Sequence, residues 1–282
     1  MFWGALNALL GSVANIFWKK SLDLSDLPPR VFYALGALGS VVLSLGLIAF
    51  GMFSLPANYW LLAIPTIDAV IVGYTGLLSQ RIYKEEKISA LLPYENLSSI
   101  LTIVAAFFLL GNTSVATLLI AIVTIVIIFT ASFDFKGHQF PKNFKLIVLS
   151  NSITAFRALA MGYALSHMAT ETFYSIRNLL NAAIVMIPLL LSAEWVAVKT
   201  MKKDCLVPRM AASFLGAISA LIAFTLISRL GLVTTTLLGF LSMAATLVLG
   251  YAFLGDRPER KNVMLAIAVS ALVAVGTYFR AP

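Results

Sequence analysis

Apolar runs of about twenty residues recur ten times along this chain, and that recurrence restricts its fold more than any other feature. Roughly twenty residues at about 1.5 Å rise each cross ~30 Å of hydrocarbon. In hydrocarbon every backbone N–H and C=O must be bonded internally, so only helices and closed barrels span it. A barrel is built from alternating segments of about ten residues, and these runs are continuous. The reading is therefore an all-α integral membrane protein with ten transmembrane helices. The spans are placed at 2–19, 31–53, 58–82, 87–110, 114–133, 143–166, 171–193, 208–229, 232–254 and 262–280. Composition agrees. The chain is 60% hydrophobic and 11% charged, with mean hydropathy +0.95, where a soluble domain carries ~25% charged residues.

The chain also repeats itself. A shift of 144 residues lays Leu97, Ser98, Thr102, Val104, Leu110 and Gly111 on Leu241, Ser242, Thr246, Val248, Leu254 and Gly255, and Asn7 on Asn151. The match covers a helix and its Leu-Gly ending, which points to a duplication. Residues 1–137 then hold one five-helix repeat and 138–282 the other. An odd number of helices starts the second copy on the opposite side, giving two inverted five-helix repeats. In secondary transporters of that architecture, sites lie near the midplane where the repeats meet.

The net charge is +8, but its distribution argues against nucleic acid as a partner. Call side B the one reached after the first span. Its loops carry Lys19, Lys20, Arg30, Arg81, Lys84, Lys87, Lys136, Lys142, Lys145, Lys199, Lys202, Lys203, Arg209, Arg257, Arg260 and Lys261, whereas the other side carries Arg229 and Arg280. Basic loops stay in the cytoplasm. Side B is expected there, with both termini outside, in a plasma or bacterial inner membrane. The first run has no basic residues before it and reads as a retained helix, not a cleaved signal. The single Cys205 cannot form an intrachain disulfide, and His138 and His167 fall in predicted loops. A His/Cys metal site is not expected, and neither is any cofactor.

Four charges fall inside the apolar runs: Asp68, Glu95, Arg157 and Arg177. A charge at the centre of a bilayer costs at least ~2.5–3.5 kcal/mol, so each should face a partner, water or a substrate. Glu95 follows Pro93 by two residues and Asp68 follows Pro65 by three. A proline inside a helix frees a backbone carbonyl, which is tolerated at membrane depth where it faces protein or a cavity. Two helices thus place an acid beside a proline. The acids fit a substrate ammonium or a transferable proton; a structural ion pair is the alternative. Arginine stays charged and needs an anion or a carbonyl cage, so Arg157 and Arg177 fit a substrate carboxylate or phosphate, or the two acids themselves. Two acids and two bases sum to zero, which suits a zwitterion as well as two internal salt bridges.

Asn7, Asn151, Asn178 and Asn181 are the amides within spans. Asn178 and Asn181 are three apart and share a helix face beside Arg177. They line a cavity or cross-link helices. Tyr74, Tyr94, Tyr163 and Tyr174 are candidate aromatic walls, suited to cation–π contact with an amine, or interfacial anchors.

Three stretches carry a family resemblance. They are Leu10-Gly-Ser-Val-Ala-Asn-Ile-Phe-Trp-Lys-Lys-Ser-Leu22 with Leu27-Pro-Pro-Arg-Val-Phe-Tyr33, Ala90-Leu-Leu-Pro-Tyr94 through Phe108-Leu-Leu-Gly111, and Leu230-Gly-Leu-Val-Thr-Thr-Thr-Leu-Leu238 through Phe253-Leu-Gly-Asp-Arg257. The pattern resembles the drug/metabolite transporter superfamily in its ten-helix EamA-like branch. Asn112 departs from it, standing where the family has an acid after the fourth-helix glycine. The family's usual topology has cytoplasmic termini, opposite to the loop charges here. The resemblance implies a carrier of small polar metabolites, amino-acid-like, zwitterionic or amine, working by alternating access, with proton-coupled export one mode. It implies no enzyme activity, a small-molecule substrate and lipids as partners, and a monomer or homodimer. Nucleotide-sugar or phosphate-bearing cargo is the alternative within the carrier class. An intramembrane enzyme and a channel are alternatives outside it.

Overall fold

The computed structural model describes residues 2–85, 97–110 and 143–254, with isolated positions between 115 and 127 and between 264 and 272. The described residues are mostly helical and contain no strand. The helices are α1 (Phe2–Asp23), α2 (Pro29–Ala49), α3 (Ala63–Glu85), α4 (Leu97–Leu110), α5 (Phe144–Leu165), α6 (Thr170–Leu190), α7 (Lys203–Leu230), α8 (Leu232–Gly239) and α9 (Leu241–Leu254). Two 3₁₀ segments, Tyr59–Leu62 and Ala193–Thr200, precede α3 and α7. Six stretches among the described residues are long and apolar enough to cross a membrane: Pro29–Ala49, Tyr59–Gln80, Phe144–Leu165, Thr170–Leu190, Lys203–Leu230 and Leu232–Phe253. The predicted spans 114–133 and 262–280 lie mostly outside the described residues, as does the first part of 87–110.

Local chemistry explains most boundaries. Pro29 occupies the first helical position of α2, where a missing N–H costs nothing. Pro65 stands third in α3, directly after the 3₁₀ segment Tyr59–Leu62. It lies in that helix's first turn, so it opens a helix where the sequence reading had it break one beside Asp68. Gly231, at φ +81°, separates α7 from α8, a backbone conformation that glycine adopts without the Cβ clash. The span read at 232–254 is thereby α8 and α9, divided at the buried Phe240. The span read at 208–229 begins five residues earlier, at Lys203, and carries Pro208 within it.

Directions of packing follow from specific contacts. Helices α1 and α7 run antiparallel, since Asn7 meets Ser219 and Ser21 meets Cys205. Helices α3 and α5 are antiparallel too, with Ile82 against Ile147 and Asp68 against Arg157. Helices α2 and α7 run parallel: Arg209 bonds Phe32 and Ser213 bonds Gly36. Helices α3 and α6 are likewise parallel, and α2 packs along α6. Helix α1 also meets α9 through Ser12 and Ser242, and α5 meets α4 through Asn151, whose side chain accepts from the Ser98 N–H near the start of α4.

Two apolar clusters occupy the ends of this bundle. At the B end, Leu22, Leu27, Val31, Phe32 and Leu189 pack with Trp18 and Trp195. The larger cluster joins Leu47, Leu61, Ile103, Leu165, Phe173, Phe224, Leu237 and Phe240. The interior charges occupy the layer between them.

Candidate functional site

Helices α3, α5 and α6 each contribute one charge to a single centre. The Asp68 carboxylate, 3% exposed, lies 3.1 Å from Arg157 Nε through Oδ1 and 2.7 Å from Arg177 Nε through Oδ2. Distance alone makes these ion pairs. None of the four atoms meets hydrogen-bond geometry, so the N–H vectors do not point along the carboxylate lone pairs. The carboxylate faces two cations, so the trio keeps one net positive charge, and its directional bonding is left unspent. The Asp68 side chain is thus held between two cations on separate helices. A solute group bearing a proton or a positive charge competes with them for the same two oxygens.

The three members differ in access. Arg177 lies 5.2 Å over the Phe224 ring and donates through Nη1 to Asn178 Oδ1 at 3.3 Å. Its side chain is 10% exposed and that of Arg157 is 19% exposed. Arg157 is the most exposed of the three. Among the described residues, Asn178 Nδ2 and Ser175 Oγ, both on α6 within two residues of Arg177, have no hydrogen-bond partner. Unpaired buried polar atoms cost free energy, so these two groups are available to a further polar contact.

A second polar group adjoins the first. Tyr33 of α2 donates its hydroxyl to Val72 O of α3 at 3.1 Å, and Asn181 of α6 donates to that hydroxyl at 3.3 Å. Gly73 and Gly76 allow this. A Cβ at Gly73 would lie 3.1 Å from Asn181 Oδ1, and one at Gly76 only 2.2 Å from the Tyr33 ring. The glycines let α3 approach closely enough for three helices to share one hydroxyl.

Among the residues singled out from sequence, Asp68, Arg157, Arg177, Asn178 and Asn181 come together. Glu95 and Tyr94 lie outside the described residues. Asn7 is apart from the group, bonding Ser219 across the α1–α7 seam. Tyr74 is 59% exposed and points away from the cluster. Tyr163 stacks between Trp60 and His167, 6.0 and 4.5 Å away, at the end of α5. Tyr174 is fully buried and donates to Ala217 O at 3.0 Å, a cross-link between α6 and α7.

Sequence reasoning missed Tyr33 and Arg209. Arg209 was assigned to a cytoplasmic loop with its basic neighbours; the structure buries it to 5% exposure, in the second turn of α7. The signal was present. Cys205-Leu206-Val207 precede it and Met210-Ala211-Ala212 follow it, so an apolar turn separates it from Lys202 and Lys203.

No family model matches the chain, and no curated protein matches it in sequence. Its shape is not new. Solved chains numbering 28 match it in fold. One of these, described only as "Crystal structure of protein", superimposes with a TM-score of 0.66 at 15% identity, covering 99% of this chain and 96% of its own. Likeness at that identity establishes a shared fold over nearly the whole length and carries no substrate with it.

Proposed function

We propose that this chain is a secondary carrier that moves a small polar metabolite across a membrane by alternating access, with ten helices in two inverted five-helix repeats like those of EamA-like drug/metabolite transporters. The observation that carries the reading is the ionic centre: one buried carboxylate between two arginines, with Asn178 Nδ2 and Ser175 Oγ unpaired beside it among the described residues, on helices that read as membrane spans. Intramembrane charges of this kind mark substrate and proton pathways. The duplication is supported by the helix pairings. A 144-residue shift exchanges α1·α7 with α5·α3, both antiparallel, and exchanges α2·α7 with α6·α3, both parallel. It exchanges α1·α9 with α5·α4 as well. Helices α2 and α6 exchange with each other and pack together at the seam.

In this reading Asp68 and Glu95 receive the ammonium or the coupling proton, and Arg157 and Arg177 hold the solute's anionic group. Asn178 and Asn181 complete the contacts. The basic loops face the cytoplasm. Purified protein in liposomes is expected to move a labelled solute unaltered, with saturation and counterflow. Conductance without saturation would make it a channel, and chemical change of the solute an enzyme. E95Q is expected to remove coupled transport from a folded protein; full activity across pH would take Glu95 out of the mechanism.

A further inference from the structure

The charges inside the bundle do not balance. Arg157 and Arg177 share Asp68, while Arg209 has no acid within salt-bridge distance among the described residues. A buried charge without an opposite carries a large desolvation cost, and a bound anion would offset it.

The surroundings of Arg209 point to what that is. Its Nε and Nη2 both donate to one acceptor, Phe32 O, at 3.0 and 2.8 Å, and its guanidinium carbon lies 4.3 Å over the Phe32 ring. A guanidinium has five N–H groups. Nη1 makes no hydrogen bond among the described residues. A neutral carbonyl and a ring face orient the cation without neutralising it. Nor is it needed to clamp α7 to α2. One turn on, Ser213 accepts from Gly39 N at 2.7 Å and donates to Gly36 O at 2.9 Å. Gly36 leaves the space the guanidinium fills, since a Cβ there would lie 1.6 Å from Nη2. Moreover, Arg209 lies near the N-terminal turns of both α2 and α7. Helix starts favour anions and disfavour cations, so an arginine placed there for structure alone opposes the local field.

We propose that Arg209 binds an oxyanion, the carboxylate or phosphate group of a solute, at the B end of the bundle. This rests on the carrier reading and narrows its substrate to molecules bearing at least one anionic oxygen group. Nη1 is the free donor, and the starts of α2 and α7 add positive field. Tyr33 follows Phe32 directly and lies within electrostatic range of Arg209, Arg157 and Arg177. Its hydroxyl bonds α3 and α6 through Val72 O and Asn181, so Tyr33 stands between Arg209 and the Asp68 group.

The test is thermal unfolding of the full chain in dodecyl maltoside, titrated with inorganic phosphate or acetate at fixed ionic strength. The expected result is a saturable rise in Tm that weakens about tenfold or more in R209Q, the loss of one charge-assisted hydrogen bond. R209K keeps part of the response, and G46A, where an added methyl meets nothing, keeps it all. No response in the wild type, or an equal response in R209Q, overturns the proposal. Should R209Q fail to fold, phosphate is expected to protect Arg209 of the wild type from phenylglyoxal, read by mass spectrometry; absence of protection overturns it. Lipid phosphate offers the same chemistry. If phosphatidylglycerol added to the micelles abolishes the phosphate response, the site belongs to lipid and not to solute. Liposome flux separates the two readings. Anion binding without flux removes the carrier and keeps the site; flux untouched by R209Q, with no anion response, removes the site and keeps the carrier.

Discussion

The seam between α3 and α6 and the seam between α2 and α7 are built alike and charged differently. Each joins two parallel helices, each is made close by glycine, and each buries an arginine. In the first, Arg177 faces Asp68, and Arg157 shares the same carboxylate. In the second, Arg209 faces a carbonyl oxygen and a phenyl ring. One seam pairs its arginine with an acid, and the other has no acid within salt-bridge distance among the described residues. Similar backbone packing therefore does not fix electrostatics. A single acid, Asp68, gives one seam an internal counter-charge, and among the described residues the other has only a carbonyl and a ring face.

Removing that acid should produce the largest effect. D68N strands two buried arginines, and breaking a buried pair costs ~3–5 kcal/mol. A steep fall in Tm and in folded yield is expected, much larger than for R209L, which deletes a cation that has no acid to strand. Equal losses in the two variants would erase the distinction between the seams. Next is G36A. The new methyl displaces the Arg209 guanidinium, and such overpacking costs ~1–3 kcal/mol. Denaturation in detergent measures it, and G46A serves as the control, because a Cβ at Gly46 meets nothing within 4 Å.

A smaller effect is expected from Y33F, which removes the hydroxyl between the seams. One net hydrogen bond is worth ~0.5–1.5 kcal/mol. A double-mutant cycle with N181L should show coupling, since the two side chains share that hydroxyl; strict additivity would separate them. Smallest is Y74F. Tyr74 faces outward, so stability should change by less than ~0.5 kcal/mol and flux should not change. A loss of flux would bring Tyr74 back into the pathway.

Sequence reasoning located the charges better than it located their partners. Asp68, Arg157 and Arg177 stand out because a charge in an apolar run is expensive wherever it points. That they meet at one carboxylate is a matter of helix rotation and crossing, which periodicity in uniformly apolar helices does not encode. Arg209 was misplaced for a related reason. The span at 208–229 already encloses Arg209, but its nearness to Lys202 and Lys203 puts it among the loop charges, whereas the helix begins earlier and buries it. Pro65 misled in the same way, since a proline opens a helix or breaks one according to where the first turn falls.

By itself the sequence determined that these segments are helices long and apolar enough for a bilayer, because hydrocarbon leaves the backbone no other way to bond. It also determined which few residues must justify a charge there. Only the tertiary structure decided the pairing. Whether an arginine faces an acid or a carbonyl depends on which helix lies beside it and how closely glycine lets that helix approach, and these are properties of contacts between segments far apart in the chain.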